Sequence, residues 1–230
     1  MYSKRLQKAI AQYQSSAAIE REASEIAPIS VEWKPFIIDP GTSLKGETVE
    51  AYCRRRWGGS GWTRSMIAGG RKDGANFSNW QWWPNTLKAH QLVQFLCNEG
   101  RAARHGPLSS NVVNQRLFEA QYELGENISD LDTLVDIAKE LLTRHGEANE
   151  DDGEMQGFLR DLRTHLDGDE GASEVQREIQ LGRQRYRISG VPFSVIGASS
   201  SSINQRPYGL SGAQSPETLL SVFEELSESD

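Results

Sequence analysis

The sequence predicts a mixed α/β fold in the order helix, strand, a long helical block, two strands, helix. Three observations carry that prediction. Apolar residues recur at helical spacing through most of residues 46–186. Pro192 opens the apolar run Phe193-Ser194-Val195-Ile196, and a proline cannot donate to a ladder, so it belongs at a strand's first residue or on an edge. Ser215-Pro216 reads as a cap followed by a first-turn proline, which starts a closing helix.

Taken in order, residues 3–14 predict a helix with Leu6, Ile10 and Tyr13 on one face. After a polar stretch, residues 29–38 predict the first strand, because Ile29, Val31, Trp33 and Pro35 alternate with Ser30, Glu32 and Lys34. Pro35 restricts its far end to an edge or bend, and Asp39-Pro40-Gly41 stops it. Helices follow over residues 48–56, 86–98, 111–124, 131–144, 155–166 and 174–186. Gly100 and Gly125 read as C-terminal signals, and Ser173 with Gln176 reads as a capping box. The fourth of these helices shows its stripe plainly: Leu131, Leu134, Val135, Ala138, Leu141 and Leu142. Residues 193–196 and 208–212 are the two late strands. Residues 197–205 between them, with Ser199 to Ser202, read as a flexible insertion in a hairpin.

At 230 residues with 37% apolar content, the chain buries one substantial core, or one domain carrying a large insertion. A formal charge of −7 argues against nucleic acid as a partner, since phosphates call for a basic face. No apolar run approaches the roughly 20 residues of a membrane span, so no membrane partner is expected. The opening segment to Glu20 carries Lys4, Arg5 and Lys8 and no acid before Glu20, which fits a presequence or, better, a first amphipathic helix. The two cysteines, Cys53 and Cys97, are too distant in sequence for a redox pair or zinc site and fit a reducing, cytoplasmic compartment. Cys97 reads as a small core residue. Cys53 precedes Arg54-Arg55-Arg56, which is either an activating environment for a thiol or a helix face with solvated charges; the second is favoured.

Several spaced blocks carry a family resemblance: Leu6-Gln7-Lys8-Ala9-Ile10, Trp33-Lys34-Pro35-Phe36-Ile37-Ile38-Asp39-Pro40, Asn85-Thr86-Leu87-Lys88-Ala89-His90, Gly125-Glu126-Asn127-Ile128-Ser129-Asp130, Val191-Pro192-Phe193 and Ser211-Gly212-Ala213-Gln214. In this order the chain resembles the DsbA-like, FrnE-like oxidoreductases. The resemblance implies a thioredoxin-like fold with an inserted helical domain. Residues 1–40 and 187–230 would build the thioredoxin part and residues 41–186 the insertion. It also implies a first strand and a Cys-x-x-Cys turn ahead of the first helix. Neither is expected in this chain, because Met1 falls past that turn and the chain holds no Cys-x-x-Cys. A missing first strand would leave a sheet edge for a partner strand, a second copy making a homodimer included.

The resemblance further implies a cis Val191–Pro192 bond beside the N-terminal end of the first helix, near Tyr2 to Arg5. Val191 and Pro192 would then pair with an extended thiol or disulfide peptide, or with a small thiol such as glutathione as substrate. Asn85 would reach a ligand's polar group or cap the helix that follows it. His90, one turn deeper, would assist at the site or sit as a satisfied core residue. Five of the six tryptophans lie between Trp57 and Trp83 among glycines, on expected flexible loops, walling a pocket for a flat ligand or packing the insertion. No dissociable cofactor and no metal is implied. Three functions follow: a thiol–disulfide oxidoreductase lacking its thiols in this chain, a non-redox protein or isomerase binding glutathione or an aromatic metabolite, and an interaction module without catalysis.

Overall fold

Apolar spacing of three and four residues builds helices over most of the chain, and short apolar runs next to Pro or Gly build the little sheet it has. The computed structural model describes residues 2–20, 28–59, 61–100, 107–145, 153–198 and 207–228. Its elements are α1 (Tyr2–Glu20), β1 (Glu47–Thr48), α2 (Val49–Trp57), α3 (Gly61–Lys72), β2 (Trp82–Trp83), α4 (Leu87–Cys97) and α5 (Ser110–Phe118), which runs into a π-helical turn (Glu119–Leu124). Then come α6 (Leu131–His145), α7 (Gly153–Asp167), α8 (Asp169–Tyr186), β3 (Phe193–Ile196), β4 (Tyr208–Ser211) and α9 (Pro216–Glu228). The fold is mixed α/β and mostly helical. Among the described residues there are two sheets, β1 with β2 and β3 with β4, each two-stranded and antiparallel.

The chain divides into two units, the first made of Met1–Ser30, Met66–Ala75 and Arg183–Asp230, the second of Val31–Ser65 and Asn76–Gly182. In the first, α1 packs on α9 through buried Ala9, Tyr13, Leu219 and Phe223. The Tyr13 and Phe223 rings meet edge to face at 5.9 Å. Leu6, Ile10, Ile29, Ile196 and Leu210 close around them, so the apolar face expected of the first helix is the face that is covered. Ser215 caps α9 as its sequence predicts, its hydroxyl accepting from the Thr218 N–H at 3.2 Å.

In the second unit α4 is central, packed by α5, α6 and α7, with Leu92 and Leu96 fully buried. The α6 stripe turns inward as its spacing demands: Leu134, Val135, Ala138, Leu141 and Leu142 are buried, joined by Met155, Leu162 and Leu166 of α7. Thr48 caps α2 through Ala51 N at 3.1 Å, and Gly58 closes it in the left-handed region at φ 71.

Four expectations are corrected. Residues 29–38 form no strand; their alternation survives as half-burial of Ile29, Val31 and Trp33 between exposed neighbours, but no ladder forms. The polar groups go elsewhere: Trp33 N donates to Ser110 Oγ at 2.8 Å and its indole to Asn111 Oδ1 at 3.0 Å. The glycine-rich tryptophan segment contains α3 rather than only loops, because Trp62, Met66 and Gly70 recur at helical spacing and Gly70 is buried. The helix ending at Gly125 widens into the π turn over its last six residues. Finally, α8 begins at Asp169, so Ser173 lies inside it and is not its cap. The expected insertion loop at residues 199–205 lies outside the described residues.

Leu219 joins the two helices of the first unit with no exposed surface. Leu219→Ala should destabilise the protein by about 2–5 kcal/mol, read as a lower urea midpoint. A loss under about 1 kcal/mol would show that α1 and α9 are not packed this way.

Candidate functional site

The Val191–Pro192 peptide bond is cis. Pro192 has no N–H, but its carbonyl accepts from Gly212 N at 2.9 Å, and Gly212 holds φ 83, where a side chain would be strained. Pro192 and Gly212 thus continue the β3–β4 register, in which Phe193 faces Ser211 and Val195 faces Gly209. Antiparallel pairs alternate between bonded and non-bonded. With Pro192 and Gly212 a bonded pair, Ser194 with Leu210 and Ile196 with Tyr208 are bonded too. The N–H and C=O groups of Phe193 and Val195 therefore point away from β4, along the outer edge of β3.

Side chains follow the same alternation. Ile196 and Leu210 enter the α1–α9 core, while Val195 is 41% exposed and Val191 45% exposed. The N-terminal turn of α1 reaches this end of the hairpin, the placement that the resemblance implies. The Tyr2 hydroxyl hydrogen-bonds Ser194 Oγ. Arg5 donates through Nε to Asp73 at 2.8 Å and through a terminal nitrogen to the Ala213 carbonyl at 3.0 Å. The salt bridge is half-buried, and the bond to Ala213 fixes the loop after β4 to α1. Val191 and Val195 are thus exposed on a hairpin whose Pro192 end is tied to α1.

Asn85 and His90 belong to the second unit. The Asn85 side chain works in both directions: Oδ1 accepts from Leu87 N at 3.1 Å, opening α4, and Nδ2 donates to the Thr42 carbonyl at 3.0 Å. Its own N–H donates to Ser129 Oγ at 2.8 Å, and Asn127 in turn donates to the Lys45 carbonyl. Asn85 is thereby the tie between the Thr42 loop, α4 and the turn before α6. His90 Nε2 donates to the Phe36 carbonyl at 3.2 Å. Burial outweighs this bond and the field of Glu178 and lowers its pKa to about 4, so the ring is neutral at pH 7.

Neither cysteine resembles a redox thiol. Cys53 is fully buried in α2, and burial raises its pKa although the Trp62 indole favours its thiolate. The charges of Arg55 are met by Glu47 at 2.7 Å and Asp39 at 3.4 Å, not by the thiol. Cys97 is pushed up to about 11 by burial. Three of the tryptophans pack together: Trp83 lies flat on Tyr52 at 3.9 Å, and Trp62 meets Trp80 and Trp83 edge-on at 5.8 and 6.0 Å. Tyr122 on the π turn extends the cluster to Phe77 and Trp80. The resemblance pointed to Tyr2 to Arg5 as neighbours of Pro192, but sequence reasoning missed Ser194 and Asp73 as their partners.

No protein-family model and no curated protein matches the chain.

Two measurements check this geometry. An unfolded histidine takes up its proton near pH 6.5, folded His90 only near pH 4. The unfolded state alone binds that proton between these values, so the His90 contribution is fully present above pH 6.5 and is lost as pH falls towards 4. It amounts to at most about 3 kcal/mol. Urea midpoints at neutral and mildly acid pH should therefore converge in His90→Gln relative to the parent; an unchanged pH dependence contradicts a buried neutral ring. Separately, a thiol reagent should label Cys53 slowly in the native protein and rapidly in denaturant. Equal rates would mean that the thiol is accessible.

Proposed function

We propose that this chain is the ligand-holding body of a DsbA-like, FrnE-type thioredoxin-fold protein, in which an extended thiol or disulfide peptide pairs with the outer edge of β3 beside Pro192. The observation that carries this reading is the outward-facing backbone of Phe193 and Val195, next to exposed Val191. An unpaired strand edge is a template for another strand, and main-chain pairing supplies affinity without demanding one side-chain sequence.

Disulfide exchange requires a thiolate, and Cys53 and Cys97 are both held in the thiol form by burial. Binding is thus what this chain contributes to the chemistry of the family it resembles. Glutathione, a thiol tripeptide, is the smallest ligand of this class. Asn85 has a structural use at the start of α4, and His90 a buried one against Phe36, so neither is needed to hold the peptide.

The test uses the position of one N–H. Val195→Pro removes an outward donor while sparing the bonds between β3 and β4, since a proline is tolerated on an edge. A short fluorescent peptide should bind the parent and lose at least about tenfold in affinity on Val195→Pro, with circular dichroism unchanged. As a second measure that leaves the protein untouched, N-methylation of the peptide backbone should weaken binding similarly. Binding insensitive to both changes would overturn edge pairing.

A further inference from the structure

A strand edge that pairs with a copy of itself must present the same groups when read from either end, and β3 does. Its outward main-chain groups belong to Phe193 and Val195, which stand symmetrically about Ser194. In an antiparallel contact between two copies centred on Ser194, Phe193 of each chain opposes the partner's Val195. The facing N–H and C=O groups of both residues point outward, so each such pair exchanges both of its bonds. No outward group of Phe193 or Val195 is then left over in either copy.

The side chains match in the same register. Val195 is 41% exposed, and opposite it on β4 stands Gly209, which has no side chain. The Phe193 ring leans over that glycine: an added Cβ there would sit 3.4 Å from the ring's Cζ. In the centred contact the partner's Phe193 gives Val195 the cross-strand side chain that β4 lacks, and an aromatic ring opposite a β-branched residue is a favoured pair. A two-fold contact also sets groups near its axis against their own images, so a charge there repels itself. No charged residue lies between Arg187 and Arg206. The residue-for-residue register of β3 has no bulge, and the strand carries no lysine or inward charge to keep another edge away. Pro192 is no guard either, since its missing N–H lies on the β4 side, in phase with its carbonyl's bond to Gly212.

We propose that the β3 edge pairs with β3 of a second copy of this chain, antiparallel and centred on Ser194, and that this copy and an extended peptide exclude one another, an assignment that rests on the edge-binding reading above. A contact built on a four-residue strand belongs at the weak, exchangeable end of protein interfaces. Self-pairing therefore covers the edge in concentrated solution and frees it on dilution, or when a peptide takes the second copy's place.

Sedimentation equilibrium of the full chain over an about hundredfold range of concentration should show monomer and dimer in exchange. A short neutral fluorescent peptide of alternating Val and Thr should shift that exchange to monomer. Val195→Pro removes an outward N–H and should weaken both the dimer and peptide binding by at least about tenfold, with circular dichroism unchanged. Val195→Lys keeps the N–H but places like charges beside the axis, entering the contact twice. It should weaken the dimer by at least about tenfold and peptide binding by less than about fivefold. A chain that stays monomeric at every concentration, yet binds the peptide and loses it on Val195→Pro, would overturn self-pairing and leave edge pairing in place. A dimer indifferent to either substitution, or one that binds the peptide without dissociating, would overturn self-pairing as well. A monomer that binds no peptide would overturn both readings together.

Discussion

A two-stranded ribbon is not stable by itself in water, and the β3–β4 hairpin exists because one of its faces is glued to α1 and α9. Ile196 and Leu210 leave the ribbon on the same side and enter the cluster of Ala9, Tyr13, Leu219 and Phe223. Remove that helix pair and the hairpin has neither a third strand nor a core. Everything read at Val191–Pro192 depends on this contact, because it decides which face is inside and therefore which residues are left in solvent. The polar contacts of Tyr2 and Arg5 then refine a placement that burial has already made.

The second unit solves a different problem. Its helices have ample apolar surface, but the irregular segment around Thr42 and Lys45 has backbone groups that no helix or sheet satisfies. Side-chain amides do so instead: Asn85 and Asn127 donate to the carbonyls of Thr42 and Lys45. Gly46, at φ 76, lies so close that an added Cβ would sit 2.9 Å from the Ser129 hydroxyl. The tightness of that corner explains why a helix-start asparagine is engaged on both sides of its amide.

The helices were legible because their signal is periodic and local. Leu131 to Leu142 can be placed on one face by counting, and the structure buries that face. The segment at residues 29–38 shows the limit of counting. Its alternation is real and is seen as alternating burial, yet a strand also needs a neighbour, and the Trp33 N–H finds a serine hydroxyl instead. Helix α3 was hidden for the opposite reason: Gly69 and Gly70 cost helix stability locally, about 1 kcal/mol each, and tertiary packing of Gly70 overrides that cost. At the candidate site, the cis bond and the proximity of the first helix were implied by the family resemblance of the blocks around Val191-Pro192-Phe193. The Arg5–Asp73 pair was not, since 68 residues separate its partners and no local pattern links them.

Pro192 has a consequence for any strand laid along β3. Its carbonyl is turned inward to Gly212, so the phase of the ladder is set at the first residue and the outer edge offers partners only at Phe193 and Val195. An incoming strand can shift along that edge only in steps of two residues. A one-residue slip would exchange its solvent and protein-facing side chains wholesale. The proline therefore gives the edge a reading frame, and a guest sequence is sampled at every second position whatever its composition.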